Sequence, residues 1–81
     1  MEKEINDVVT YLTDLLNDNT VPRNVKTKIE SIVKSFQEKT DMSLKINKAL
    51  SVLEEISDDN NIQPYTRAQV WNAVSMLEGL N

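Results

Sequence analysis

A single glycine, Gly79, and two prolines, Pro22 and Pro64, punctuate 81 residues. That scarcity decides the fold class before any pattern is sought. A small antiparallel β domain turns the chain about every eight to twelve residues, and it builds those turns from Gly, Pro or Asn-Gly. This chain cannot supply them, so it is read as all-α. Apolar residues make up 40% and charged residues 27%, the balance of a globular chain rather than a disordered one. A chain this short buries only about 60–65% of its unfolded surface. With no cysteine and no histidine, nothing like a disulfide or a zinc site reinforces it, and stability has to come from helix packing or self-association.

The same two absences remove whole chemistries. There is no thiolate nucleophile, redox pair or iron–sulfur ligand, and no imidazole for acid–base work or metal ligation. Carboxylates, Lys, Tyr and hydroxyls remain, but no motif arranges them, so the expectation is a protein that is not an enzyme and uses no cofactor. No apolar run reaches the roughly 18–20 residues of a membrane span. The opening Met1-Glu2-Lys3-Glu4 has no apolar stretch behind it and is not signal-like. A cytoplasmic location is expected.

Four segments carry apolar residues at helical spacing. Ile5, Val8, Val9, Leu12, Leu15 and Leu16 form the first stripe; Val25, Ile29, Ile32, Val33 and Phe36 the second. Met42, Ile46, Ala49, Leu50, Leu53 and Ile56 form the third, and Val70, Ala73, Val74, Leu77 and Leu80 the fourth. The predicted helices are 3–18, 22–38, 42–57 and 65–79, in one domain spanning residues 1–81. Asn17-Asp18-Asn19 and Asp58-Asp59-Asn60-Asn61 supply the turn chemistry between them. Thr20 is a candidate cap for the second helix and Asp41 for the third. Thr66 and Gln69 have capping-box spacing for a later start of the fourth. Gly79 stands where a last helix would end.

A shift of 41 residues pairs Ile5 with Ile46, Asn6 with Asn47, Leu12 with Leu53, Asp18 with Asp59, Asn19 with Asn60 and Val33 with Val74. The prolines miss by one position. A period near 40 residues is the length of a HEAT or armadillo unit, but two copies are too few for an open solenoid. The expected architecture is therefore an antiparallel four-helix bundle made of two helix hairpins, closing on itself or on a twin.

Three surface features are weighed for function. The acidic loops fall at one end of such a bundle and offer oxygen ligands to a hard cation. They match no EF-hand spacing, and turn and capping chemistry accounts for them; no metal site is assigned. Charge is −4 overall and uneven: residues 1–20 carry −4, 21–40 carry +3, 41–63 carry −3 and 64–81 carry none. Arg23, Lys26 and Lys34 on the second helix are a candidate nucleic-acid face, but Glu30 interrupts it and no aromatics interleave. A solvated face complementary to acidic neighbours is the simpler reading. Leu44 and Val52 lie off the third stripe, about 160° and 240° from Ile46. Tyr11 occupies the place of Val52 in the first hairpin. With Trp71 and Arg67, an aromatic–arginine pair of hot-spot composition, they are the candidate interface. Trp71 also suits the edge of the core, and Tyr65 suits a cover for the bundle end.

Val21-Pro22-Arg23-Asn24-Val25, Glu55-Ile56-Ser57-Asp58, Pro64, Arg67, Trp71-Asn72, Val74-Ser75 and Leu77-Glu78 together resemble uncharacterised protein family 0147, a group of short acidic archaeal proteins. The resemblance covers nearly the whole chain and is weakest from Lys39 to Ser43. It implies an all-helical fold and an archaeal source, and no activity, catalytic residue or ligand. The function expected is a non-enzymatic interaction or structural module that associates with itself or another protein. The alternative is a nucleic-acid-associated accessory protein.

Overall fold

In the computed structural model, which describes residues 2–80, the apolar stripes become four helices: α1 (Glu2–Leu16), α2 (Arg23–Ser35), α3 (Met42–Ser57) and α4 (Pro64–Glu78). No strand occurs among the described residues. Each helix packs on its chain neighbours and α1 also packs on α4, while the backbones of the diagonal pairs stand farther apart. The ring encloses one core in which Leu12, Ile29, Ile32, Leu53, Ile56, Val70 and Leu77 are wholly buried. Contacts between α2 and α3 run in opposite numerical sense: Asn24 with Asp59, Lys28 with Glu55, and Lys45 with Phe36. These two helices are therefore antiparallel, and both long loops lie at one end. The radius of gyration, 11.7 Å, is that of a closed globule of this length, about 12 Å, so the single chain covers its own core.

Several positions 41 apart share their burial or their turn bonds. Ile5 and Ile46, Leu12 and Leu53, Leu15 and Ile56, Val21 and Ile62, and Phe36 and Leu77 are all buried. Asp18 accepts the Thr20 amide at 2.9 Å and Asp59 the Asn61 amide at 2.8 Å. Both are side-chain turns that bond the backbone two residues on. The backbone of Pro22 starts α2 by accepting from the Lys26 amide, and that of Gln63 starts α4 by accepting from Arg67.

Several helix ends differ from expectation, each for a local reason. Thr20 does not cap α2; its hydroxyl and amide both donate to Asp18, which leaves Pro22 as an N-cap without a side-chain bond. Thr66 does not cap α4 either. The helix begins at Pro64, which has no N–H to lose at that position, and Thr66 is buried within it. Asp41 caps α3 as expected, accepting the Ser43 amide at 2.8 Å. α2 ends at Ser35, where tighter bonds from Gln37 to Lys34 and from Glu38 to Ser35 close the last turn. Gly79 ends α4 in right-handed conformation, φ −67°, and spends none of its extra freedom.

Among the described residues Thr66 is the one polar residue at a fully buried core position, and its hydroxyl has no partner there; neither does the buried Oε1 of Gln69, three residues on. Val25 occupies the corresponding place in the first hairpin and is 1% exposed. Thr66→Val keeps the branched shape and removes an unbonded hydroxyl, whose burial costs about 1–3 kcal/mol. The expected result is a gain of about 1 kcal/mol, read as a rise in Tm of roughly 4–8 °C for a domain of this size. A loss of stability instead would mean that the hydroxyl is bonded in solution.

Candidate functional site

The loop end is held by a connected set of polar contacts. Arg67, half-buried in the first turn of α4, donates from Nε to the Ser57 carbonyl at 3.2 Å and from Nη2 to the Asp59 carbonyl at 3.0 Å. It thereby satisfies a carbonyl that the end of α3 leaves without a helical partner. Asp59 uses its carboxylate on the Asn61 amide and on the Asn24 side chain at 3.2 Å. Lys28 and Glu55 pair beside it at 2.8 Å. The Asn61 amide, helped by the Asn24 side chain and by nearby Lys28 and Arg67, holds the Asp59 carboxyl below the ordinary carboxylate range despite some loss of solvent. The Thr20 hydroxyl and then its amide do the same for Asp18, with a smaller pull from Lys26. These oxygens serve turns. Among the described residues no cluster of three or more acidic side chains could hold a metal ion.

The five candidate interface residues do not form one patch. Tyr11 is half-buried on α1, packs on the core, and accepts a bond from Asn72 Nδ2 at 3.3 Å, across the junction of α1 with α4. Val52 is also half-buried against the core. Leu44 stands out on the first turn of α3, 66% exposed. Arg67 reaches the other end of that helix, which lies about 20 Å away by helical rise. Trp71, one turn beyond Arg67, is 50% exposed. Half of the indole is covered, as at a core edge, and half faces outward. Tyr65 is 62% exposed, and rather than covering the end of the molecule it accepts a bond from Gln69 on its own helix. Tyr65 and Trp71 lie about 9 Å apart along α4 and about 120° apart around it.

The basic side of α2 is balanced by its neighbours. Lys34 pairs with Glu30 at 3.2 Å, Lys28 with Glu55, and Lys26 lies near enough to Asp18 to draw its pKa down. Arg23 is exposed on the first turn. Sequence spacing missed two polar residues of consequence, Lys45 and Thr66, both buried. Lys45 had a legible signal: it lies about 100° from Ile46, only about 20° outside the stripe that ends at Ile56. A lysine there lays its stem on the core.

The family described as "Uncharacterised protein family (UPF0147)" matches residues 1–80. A UPF0147 protein of Sulfurisphaera tokodaii is 35% identical over 78 residues, covering 95% of this chain and 88% of its own. One from Archaeoglobus fulgidus is 35% identical over 80 residues, 99% and 92% of the two chains. The chain belongs to the UPF0147 family. A crystal structure of "unknown function protein MMP1188" superposes on this UPF0147 chain with a TM-score of 0.89 at 26% identity, covering 96% of this chain and 90% of that one. The four-helix arrangement of the UPF0147 chain thus has an experimental counterpart. The two UPF0147 relatives are archaeal, and their names carry no activity. No helix among the described residues is long and apolar enough to cross a membrane.

Proposed function

We propose that this UPF0147 protein is a non-enzymatic interaction module, and that it pairs with a second copy of itself through the outer side of α4 around Trp71. The observation that carries this reading is the half-exposed indole on a helix one turn from an arginine. Trp and Arg dominate binding energy at interfaces. A two-fold interface requires a self-complementary patch, in which each residue meets its counterpart in the other copy. An arginine and a tryptophan one turn apart are of the kind that can meet that requirement, each facing the other type in the second copy. The two carbonyls that Arg67 bonds lie in the plane of its guanidinium, and a planar cation of this kind can stack on an aromatic ring. The core is closed within one chain, so such pairing is reversible and does not carry the fold.

Sedimentation equilibrium of the full chain from 10 µM to 1 mM, with Trp fluorescence on the same samples, tests it. A concentration-dependent dimer, a blue-shifted Trp emission on association, and about 30-fold weaker pairing for Trp71→Ala are expected, as for a central hot spot. A monomer throughout that range with unchanged emission would overturn it. So would a dimer indifferent to the substitution. Nucleic-acid binding through Arg23, Lys26 and Lys34 would compete with the contacts that balance those charges, and it would appear as RNA or DNA retention at low salt.

A further inference from the structure

The turn between α2 and α3 encloses a depression of about 230 Å³, lined by Ser35, Glu38, Thr40, Leu44, Lys45 and Lys48. It lies outside the α4 surface discussed above. Lys45 is 8% exposed, and its ammonium makes one long bond, 3.4 Å, to the Phe36 carbonyl. An ammonium has three N–H donors, so two of them have no partner among the described residues. Neither Lys45 nor Lys48 pairs with a carboxylate there, although Glu38 is in the same wall. The stem of Lys45 is packed away while its ammonium, at the edge of this open depression, keeps donors free for a ligand.

We propose that this depression is a binding site for a compact oxyanion, a phosphate or carboxylate group borne by a small molecule. Two lysines against one glutamate leave the wall at about +1. The amide end of α3 is already met by the Asp41 carboxylate, so the attraction for an anion rests on the lysines. Lys45 is the inner donor and Lys48 the outer one, and Thr40 lies within the same wall. Leu44, otherwise an unexplained exposed side chain, forms an apolar lip. The volume falls below the roughly 300 Å³ at which whole ligands are enclosed, so the site takes a head group and leaves the remainder outside, against Leu44.

The test is a pair of titrations of the ¹⁵N-labelled full chain with inorganic phosphate and with acetate, against sodium chloride at matched ionic strength. Saturable amide shifts confined to about residues 35–48 are expected for at least one anion, with Kd near 1–10 mM, and the arm that saturates identifies the head group. Lys48→Met is expected to weaken binding about fivefold without disturbing the fold. Glu38→Gln is expected to tighten it. Lys45→Met should abolish it; since that change also removes a contact to α2, the Lys48 and Glu38 variants carry the test if it fails to fold. Shifts that do not saturate, that sodium chloride reproduces, or that ignore both Lys48→Met and Glu38→Gln would overturn the site.

Discussion

Leu53→Ala is expected to cost about 3 kcal/mol, within the range of about 2–5 kcal/mol for truncating a buried leucine. Leu53 is 0% exposed, so the alanine leaves a cavity walled by helices that pack on one another and cannot all collapse into it. For 81 residues total stability is on the order of 4–12 kcal/mol, and the variant forfeits a large part of it. Urea denaturation followed by circular dichroism should show a lower midpoint with an unchanged slope. Leu12, 41 residues earlier and likewise 0% exposed, should respond within about 1 kcal/mol of the same amount. Val9→Ala, at a half-buried position, should cost less than either. Unequal costs at Leu12 and Leu53 would mean that the two hairpins share a spacing but not a packing environment.

The helices were legible because each has a stripe of aliphatic residues at helical period, and burial selects those positions. Val9, Leu16, Val33 and Leu50, at the margins of the stripes, are half-buried rather than buried, which no period can resolve. The ends were less legible. Thr20 has two partners within reach, the amides of the coming helix and the Asp18 carboxylate; the second won, and cap preference alone does not decide such competition. The surface candidates were legible as side-chain types and not as a patch, because Leu44 and Arg67 come together only if α3 is ignored as a rod between them. Lys45 was hidden by its charge. Lysine is read as solvent-facing, yet its stem packs like an aliphatic chain.

Comparing the hairpins position by position separates the parts that build the fold from those that do not. Most apolar core pairs stay apolar, among them Ile5 with Ile46 and Leu12 with Leu53. Where the hairpins differ, the second holds the unusual residue: Leu44 against Lys3, Lys45 against Glu4, Thr66 against Val25, Arg67 against Lys26 and Trp71 against Glu30. None of these is needed for a helix hairpin, since the first hairpin forms without them. Thr66 is buried with an unbonded hydroxyl, Lys45 is buried with unused donors, and Leu44 and Trp71 are apolar and exposed. A fold selected for stability alone would lose all four, and that asymmetry is the physical reason to look for function in the second hairpin rather than the first.

Arg67 is the member of this set whose loss is expected to cost most. Its guanidinium, half-buried, bonds the carbonyls of Ser57 and Asp59 at once, joining the start of α4 to the end of α3 across the loop. Bonds from a charged donor contribute about 1.5–3 kcal/mol; with partial exposure and freed carbonyls that water can reach, Arg67→Ala should cost about 2 kcal/mol overall. Arg67→Lys should recover less than half of that, because a point-like ammonium on a flexible stem cannot match a fork that spans two acceptors. Lys26→Ala, at the corresponding place in the first hairpin, should stay within about 0.5 kcal/mol, as for other surface changes. Denaturation of the three variants gives these numbers, and amide exchange locates them: protection should fall first from Asp58 to Asn61 in Arg67→Ala and remain unchanged around Asp18. Equal costs at Arg67 and Lys26 would show that the two loops are held alike. The α3–α4 corner, with Trp71 one turn away, would then have no firmer footing than the α1–α2 corner, and the rigid platform that a hot spot on α4 requires would be missing.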